Sequence, residues 1–417
     1  MIIAFSGCSG SGKTTLIEQI KDWDYFKGKK VVIKDEDSFL SIRLLKRVLG
    51  EKPFSEYKKD KMYEHDRGKQ STGLFTYVAD FFYPVVVYLE YLLDYFIYEL
   101  INKDAILLKD RYIYDYLVTF EHNIRTAGRF TRFFYLRFPR PYLMFYIKIS
   151  PDTALDRNKN EVEGKITIKP EFHEAVIRSY NNIAVYRNLL VIENDENLEI
   201  SVHTVKNHIL NKAKLSRTGR IVITGLDGSG KTTLAKEFTN YLTMLNIPWK
   251  IAHFYHDNIL YKFLKYIGYY DTDEPEEVIF ERSRAHNVRV KAKGKSFIWG
   301  VLHFTDSLVQ FVFFNIFYGR RLIIYDRYFY DFLVSFAFLR VPHIDLFEKI
   351  IPPVKNKFLL VCSPEIMYNR KPETTLEFAA ENYHIYLEVA KRFNLIKIDS
   401  GEKSTPLILS EIIERIV

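Results

Sequence analysis

The chain has 417 residues, two cysteines and a formal net charge of +8. This length allows two domains with a core each, and two cysteines exclude a disulfide framework and favour a reducing, cytoplasmic compartment. Basic residues are spread along the chain without a dense run, which favours small anionic partners over nucleic acid. We expect no signal peptide and no membrane span, because the most apolar stretches, residues 81–89 and 308–317, are shorter than a bilayer requires.

Short apolar runs alternate with longer helical patterns along the whole chain. This alternation predicts crossover units and parallel sheets that are covered by helices on both faces. We expect two tandem α/β domains of about five strands each, residues 1–212 and 220–417, joined by a polar linker at 213–219. The predicted strands are residues 1–6, 30–34, 105–109, 142–149 and 189–193 in the first domain and residues 221–225, 249–254, 321–325, 357–362 and 395–399 in the second.

The first domain is partly repeated in the second. GCSGSGKTTL at 7–16 returns as GLDGSGKTTL at 225–234, with eight of ten positions identical. DRYIYDYLVT at 110–119 returns as DRYFYDFLVS at 326–335, with seven of ten identical. Landmarks that recur in the same order at a nearly fixed long period indicate the duplication of a complete structural unit.

Both ten-residue segments follow an apolar strand and fit G-x-x-x-x-G-K-[ST], the phosphate-binding P-loop. The glycines let backbone N–H groups approach phosphate oxygens, while the lysine and the helix N-terminus add positive charge. A glycine turn with a purely structural role is the alternative, and the doubled strand–loop–helix context argues against it. The residues expected to bind nucleotide are Gly7, Ser9, Gly10, Ser11, Gly12, Lys13, Thr14 and Thr15 in the first copy and Gly225, Asp227, Gly228, Ser229, Gly230, Lys231, Thr232 and Thr233 in the second.

An apolar strand that ends in Asp-Arg follows each P-loop, at residues 110–111 and 326–327. A carboxylate at this strand end can hold the shell of Mg²⁺ opposite a P-loop hydroxyl, and an arginine can bind phosphate with two hydrogen bonds. A structural Asp-Arg pair at a helix start is the alternative. The residues expected to hold Mg²⁺ are Thr14, Asp110, Thr232 and Asp326.

These motifs resemble those of the thymidylate kinase family, within the nucleoside monophosphate kinases. The P-loop, the D-R-Y that follows about ninety residues later, and the S-P-E segment with its nearby arginine are similar to the family pattern, once per unit. The resemblance implies two tandem P-loop kinase domains that use ATP and Mg²⁺. It also implies pairing of such folds, which leaves a homo-oligomer or a pseudo-dimer of the two units within one chain open.

The resemblance further implies roles for single residues. The P-loop lysines would bind the donor phosphates, the arginines after the strand-end aspartates would contact the transferring or acceptor phosphate, and Arg370 would belong to a lid over the donor. Asp227 would face the sugar of the acceptor nucleotide. Phosphoryl transfer needs mainly positioning and charge neutralisation, which such cations can supply. The residues assigned to catalysis in this way are Lys13, Arg111, Arg157, Lys231, Arg327 and Arg370.

The acceptor side departs from the family. The R-E-P-G-G-T stretch after the second strand is missing from both units, where IKDEDSF (33–39) and IAHFYHDN (251–258) stand instead. In the first P-loop, Ser9 occupies the position of Asp227. The polar residues of this region are acceptor ligands or solvated surface groups: Asp35, Glu36, Asp37, His253, His256 and Asp257. Acids on the apolar helices need partners. In the second unit, Arg282 and Arg284 could contact either Asp306 or an acceptor phosphate. Glu90 is the residue of the first unit that corresponds to Asp306.

The sequence therefore predicts ATP- and Mg²⁺-dependent phosphoryl transfer to a small acceptor, with a (deoxy)nucleoside monophosphate such as dTMP as the first choice. A nucleoside or sugar kinase remains an alternative, as does a nucleotide-binding regulatory or scaffold protein in which one or both units do not catalyse. The guanine-reading N-K-x-D of GTPases and the L-S-G-G-Q of transporter ATPases are absent. Because of the exchange at Ser9, the second unit is the better candidate for catalysis.

Overall fold

The computed structural model describes residues 1–34, 74–101, 104–123, 129–160, 170–253, 295–338, 341–371 and 375–417. The chain divides into two compact units. The first comprises Met1–Leu210 with Met244–Asn246, and the second comprises Asn211–Thr243 with Ile247–Val417. Each unit is described below by itself.

The first unit alternates strands with helices, as the apolar periodicity requires. Its strands are β1 (Ile2–Ser6), β2 (Lys30–Lys34), β3 (Ala105–Asp110), β4 (Leu143–Lys148) and β5 (Leu190–Glu193). Its helices are α1 (Lys13–Lys21), α2 (Leu74–Tyr95, continued by a π-helical turn over Phe96–Ile101), α3 (Ile113–Asn123), α4 (Arg129–Leu136), α5 (Pro151–Asn160), α6 (Pro170–Arg187) and α7 (Leu198–Arg217), with a short 3₁₀ turn over Asp24–Phe26.

The second unit repeats this succession. Its strands are β6 (Arg220–Gly225), β7 (Trp249–His253), β8 (Leu322–Asp326), β9 (Asn356–Val361) and β10 (Ile396–Asp399). Its helices are α8 (Lys231–Met244), α9 (Lys295–Tyr318), α10 (Phe329–Phe338), α11 (Ile344–Lys349), α12 (Pro364–Arg370), α13 (Leu376–Phe393) and α14 (Thr405–Arg415).

The two sheets have the same topology. Across the described residues, one sheet has the strand order β2-β3-β1-β4-β5 and the other the order β7-β8-β6-β9-β10, and every pairing is parallel. The central strand of each sheet is the one that leads into a P-loop. It lies beside the strand that ends in Asp-Arg, with Phe5 opposite Asp110 and Ile223 opposite Asp326. The carboxyl ends of these strands therefore bring the two motifs together, where ligands bind in open α/β sheets.

The core of each unit lies between sheet and helices. All five residues of β1 and of β8 are buried, because helices cover both faces of a parallel sheet. Aromatic side chains dominate the packing, and in the first unit Tyr91 meets Tyr112 edge to face at 5.4 Å between ring centroids. Comparable edge-to-face contacts join Tyr328 and Phe329 in the second unit, at 4.8 Å.

The predicted sheets are confirmed, and each predicted strand lies within one residue of its observed bounds. Two details differ. The segment predicted as a linker, 213–219, continues α7 up to Arg217, because Leu215 is fully buried and extends the apolar face of the helix. The predicted domain bounds otherwise stay a prediction.

The second difference concerns the apolar run at 308–317. In the described part of the chain, one helix is long and apolar enough to cross a membrane, the 19-residue stretch Gly300–Tyr318 within α9. The apolar run predicted at 308–317 is part of this longer stretch, because Asp306 is buried and the helix continues through it. Phe304 and Phe314 of the same stretch are buried in the core of the second unit.

Candidate functional site

The P-loops take a tight path immediately after their strands. Gly7 and Gly225 have φ values of 157° and 145°, and a Cβ atom on either would lie 2.5 Å from a carbonyl oxygen of the neighbouring strand, that of Ile147 or Leu360. No other residue type fits this approach. The helices α1 and α8 begin at the P-loop lysines, so their free N–H groups face the loop.

Both P-loop lysines are held inside their loops. The ammonium group of Lys13 donates to the carbonyl oxygens of Gly7 and Cys8 at 2.8 and 2.9 Å. Lys231 makes the same contacts with Gly225 and Leu226 at 2.7 and 2.6 Å. Burial lowers the pKa of both lysines, and neighbouring carboxylates act in the opposite direction.

The first unit brings the two groups expected at the metal side by side. The hydroxyl of Thr14 donates to the carboxylate of Asp110, across from α1 to the end of β3. A hydroxyl and a carboxylate in contact are hard oxygen ligands of the kind that Mg²⁺ prefers. In the second unit, Asp326 is buried, and its Oδ2 lies 3.3 Å from Nδ1 of His253 at the end of β7.

The arginines after the strand-end aspartates have an unusual backbone. Arg111 and Arg327 have φ values of 82° and 71°, in the left-handed region that non-glycine residues rarely adopt. Their N–H groups donate to the carbonyl oxygens of Phe5 and Ile223 at 3.0 and 3.1 Å, which anchors each turn to the central strand. Strain of this kind at a strand end is common in functional sites.

The units differ at the third position of the P-loop. In the second unit, Asp227 accepts a hydrogen bond from Arg327 and lies 3.7 Å from the ammonium of Lys231. In the first unit, Ser9 is exposed at the equivalent position and brings no carboxylate to the loop. The two sites therefore differ by one negative charge at the same place.

Arg157, assigned to catalysis, and Arg370, assigned to a lid, both bind backbone carbonyl groups. Arg157 donates to the carbonyl oxygens of Gly10, Asn194 and Asp195 at 3.3, 2.9 and 3.1 Å. Arg370 donates to those of Ser400 and Gly401, at 3.0 and 2.6 Å. Both guanidinium groups thus bind the loop after the fifth strand of their unit.

Two aspartates that the sequence reading did not single out lie under the site. Asp115 and Asp331 follow the strand-end aspartates by five residues and are 3% and 1% exposed. The signal was present, because both residues are identical in the repeated DRY segments. The sequence alone does not show which groups such a carboxylate contacts.

The acid on the apolar helix of the first unit has the partner that burial demands. Glu90 lies 3.7 Å from the ammonium of Lys34, whose nearer partner is Asp94 at 2.5 Å. Asp94 also binds the buried Lys109, at 2.6 Å. Among the other acceptor-side candidates, the following lie outside the described residues: Asp35, Glu36, Asp37, His256, Asp257, Arg282 and Arg284.

The fold and these motifs define a class: two α/β units that each carry a P-loop next to an Asp-Arg strand end, as in P-loop kinases. The family model described as thymidylate kinase matches residues 5–205, within the first unit.

The chain is also similar to solved structures of deoxyadenosine kinase from M. mycoides. The structure with bound dCTP has 16% sequence identity and a TM-score of 0.32, covering 50% of this chain and 99% of that one. The structure with bound dATP has 15% identity and a TM-score of 0.32, covering 50% and 100%. The structure with the products dCMP and dCDP has 15% identity and a TM-score of 0.33, covering 50% and 99%. A search of curated proteins finds no match to the sequence.

Proposed function

We propose that the protein transfers the γ-phosphoryl group of ATP to a (deoxy)nucleoside monophosphate, with dTMP as the first acceptor to test, and that the second unit catalyses the reaction. The observation that carries the proposal is the meeting of P-loop and Asp-Arg turn at the carboxyl end of adjacent parallel strands. There the buried Lys231 and the guanidinium of Arg327 lie on either side of Asp227. Two cations around one phosphoryl-sized region suit a transfer that depends on charge neutralisation.

The donor side is supported in both units. Lys13 and Lys231 are positioned by loop carbonyls, and the N-termini of α1 and α8 direct N–H groups into the loops. These groups would bind the β- and γ-phosphates of ATP and orient the terminal phosphoryl group. Because the P-loop is already ordered in the folded chain, nucleotide binding does not have to order it, and this favours both the affinity for ATP and the transfer rate.

The residues fit a magnesium ion. Thr14 with Asp110, and Thr232 with Asp326, would hold Mg²⁺ through a hydroxyl and a carboxylate oxygen. When bound, Mg²⁺ would neutralise charge on the phosphate oxygens. The buried carboxylate of Asp326 is oriented in addition by the imidazole of His253 at 3.3 Å.

The acceptor side of the proposal rests on Arg327 and Asp227. Arg327 would contact the acceptor or transferring phosphate, and Asp227 would accept a hydrogen bond from a sugar hydroxyl. A nucleoside or a sugar is the competing acceptor, because the family's acceptor segment after the second strand is replaced in this chain. A neutral acceptor would still be bound by Asp227 through a hydroxyl, but it would bring no phosphate group of its own for Arg327 to bind.

The function is tested by incubating the purified chain with ATP-Mg²⁺ and a panel of nucleotides, nucleosides and sugars, with products identified by mass spectrometry. We expect a phosphorylated nucleotide, and a loss of at least about a hundredfold in rate for Lys231→Ala. Lys13→Ala is the matched variant in the first unit and should retain most of the rate. Absence of any phosphorylated product would remove the kinase function.

The second candidate is a regulatory role for the first unit. The favouring observation is the serine at Ser9, which leaves that P-loop without the carboxylate of the second unit. If Lys13→Ala abolishes ATP binding to one of two sites and leaves turnover intact, the first unit binds nucleotide without catalysis. If neither lysine variant changes a transfer rate while both abolish ATP binding, both units are binding domains.

A further inference from the structure

A buried carboxylate connects three parts of the first unit below the P-loop. Oδ1 of Asp115 accepts from the backbone N–H of Gly7 at 3.1 Å and from the hydroxyl of Tyr180 at 2.9 Å. Oδ2 accepts from the hydroxyl of Ser6 and from the backbone N–H of Tyr112 at 2.8 Å. The four donors belong to the end of β1, the first residue of the P-loop, the Asp-Arg turn and helix α6.

The second unit contains the same arrangement. Oδ2 of Asp331 accepts from the hydroxyl of Thr224 at 2.5 Å and from the backbone N–H of Tyr328 at 2.8 Å. Oδ1 accepts from the hydroxyl of Tyr386 on α13, at 2.8 Å. The tyrosines of the two units are 206 residues apart, whereas the aspartates are 216 apart. The segment between the aspartate and the tyrosine is therefore shorter in the second unit, but the two side chains are in contact in both units.

The donors around each carboxylate fix its orientation. Burial raises the pKa of Tyr180 and Tyr386 well above the ordinary value for tyrosine, so both hydroxyls keep their protons and donate. Asp115 has four donors around its two oxygens and Asp331 has three. An ionised carboxylate accepts at all four lone-pair sites, whereas an amide would present two N–H donors to groups that are themselves donors.

The carboxylate acts directly on the strained turn. Arg327 has φ of 71°, its own N–H is bound to β6 at 3.1 Å, and the next N–H, that of Tyr328, is bound to Asp331. The backbone is therefore held on both sides of the arginine. Holding a non-glycine residue in the left-handed region costs free energy, which the surroundings must supply.

The same carboxylate is a near counter-charge for the P-loop lysine. Burial lowers the pKa of Lys13, and Asp115 is the largest influence in the opposite direction, ahead of Asp110. For Lys231, the carboxylates that oppose the effect of burial include Asp331. One buried group thus affects both cations of the proposed transfer site.

We propose that Asp331, and Asp115 in the first unit, are positioning residues for the phosphoryl-transfer site: each carboxylate sets the direction of the arginine after the strand end relative to the P-loop. The proposal rests on the proposed function. It adds a residue that touches no substrate and acts through Arg327, with Tyr386 as the second support of the same carboxylate.

The test is a double-mutant cycle on the whole chain with Asp331→Asn and Arg327→Lys, read in kcat and KM. Asp331→Asn should lower kcat about tenfold to a hundredfold, with a smaller change in the KM for ATP, because the hydrogen bonds of a charged group are lost while the P-loop remains. In the Arg327→Lys background, the same substitution should cost less than about threefold. Tyr386→Phe removes one donor and should give a smaller decrease of the same kind.

Asp345→Asn is the matched control, since it is the same change at an exposed carboxylate of the same unit. The free energy of unfolding is measured for every variant, so that a loss of fold is recognised. Equal effects of Asp331→Asn in both arginine backgrounds would overturn the proposal and leave a purely structural carboxylate. If the wild-type chain transfers no phosphoryl group, the proposed function fails, and the same cycle is read in the Kd for ATP-Mg²⁺, where additivity again overturns the positioning role.

Discussion

At the scale of single residues, the glycine that opens each P-loop is required by the sheet as well as by the ligand. At Gly225 the backbone has φ of 145°, and a Cβ atom would lie 2.5 Å from the carbonyl oxygen of Leu360. The P-loop motif predicts this glycine from phosphate binding alone. The structure adds that the parallel neighbour β9 comes too close for any side chain.

Gly225→Ala should therefore lower the free energy of unfolding by about 1–3 kcal/mol, from backbone strain and the carbonyl contact together. The measurement is denaturant unfolding of the full chain. Gly219→Ala serves as the control, because a Cβ atom at Gly219 has nothing within 4 Å and the residue has no positive φ. An equal, small effect of both changes would contradict this account of the P-loop glycine.

Some residues of the site are placed by the local sequence, and others depend on partners that are distant in sequence. The spacing of the P-loop predicts where Lys13 and Thr14 lie, since strand, loop and helix are continuous in sequence. The roles of Asp115 and of Arg157 depend on partners 65 and 37 residues away, Tyr180 and Asn194. Sequence periodicity carries no information on such contacts, although the repeat marked the aspartate as a shared position.

At the scale of elements, helix α2 binds the edge of the sheet through buried charges. Asp94 contacts Lys34 of β2 and Lys109 of β3, at 2.5 and 2.6 Å. In the second unit, the positions 216 residues after Asp94 and Lys109 are Gln310 and Tyr325, a neutral pair. The second unit thus carries neutral side chains at the two positions that correspond to the charged pair of the first unit.

The single variant Asp94→Gln should destabilise the first unit by about 3–5 kcal/mol, because it removes the carboxylate that is in contact with the ammonium groups of Lys34 and Lys109. The double variant Asp94→Gln/Lys109→Tyr introduces the pair of the second unit and should recover at least about half of that loss. Unfolding in denaturant measures both. A double variant less stable than the single one would show that the neutral pair depends on the rest of its own unit.

Helix α7 gives the first unit a pH-dependent stability. Burial lowers the pKa of His208 on this helix to about 4, from 6.5. Its ring lies 6.2 Å from that of Phe145 on β4, between helix and sheet. Between pH 6.5 and pH 4, His208 binds a proton in the unfolded chain but not in the folded chain. The contribution of this histidine therefore lowers the free energy of unfolding as the pH decreases through that window and is constant above it.

The expected loss for this histidine is about 1.4 kcal/mol for each pH unit within the window. His208→Leu should reduce the acid-induced loss of stability by about 2–3 kcal/mol between pH 7 and pH 4, measured by denaturant unfolding at several pH values. His203→Leu, at an exposed position of the same helix, is the control for the change from histidine to leucine. Parallel profiles for the wild type and His208→Leu would contradict the prediction.

The elements themselves were predictable because strands buried on both faces form continuous apolar runs. The runs before Gly7 and Gly225 and those before Asp110 and Asp326 mark strands to within one residue. The polar segment at 213–219 was misleading for the opposite reason, since a helix with one buried face can be polar over most of its length. Only the burial of Leu215 places it in α7.

At the scale of the whole molecule, the two units share the contacts around their P-loops and differ at the positions that we propose face the acceptor. The P-loop lysines make matching contacts with loop carbonyls in both units, and the buried aspartates accept from equivalent donors. The variation lies at Ser9 against Asp227, and in the stretches that follow the second strand of each unit.

An exchange of the two residues tests this division. Asp227 lies 3.7 Å from the ammonium of Lys231, and removing its charge should strengthen the binding of a polyphosphate to the second unit by about fivefold, the value of one charge pair at this distance in a water-like medium. The same change releases Arg327 from its carboxylate partner and should lower the transfer rate. Asp227→Ser should therefore bind ATP more tightly and turn over more slowly, whereas Ser9→Asp should weaken ATP binding at the first unit without lowering turnover.

Calorimetric titration in the Lys13→Ala and Lys231→Ala backgrounds assigns each affinity to its unit, with Asp227→Asn as the isosteric control. A decrease in turnover on Ser9→Asp as large as that on Asp227→Ser would mean that both units catalyse.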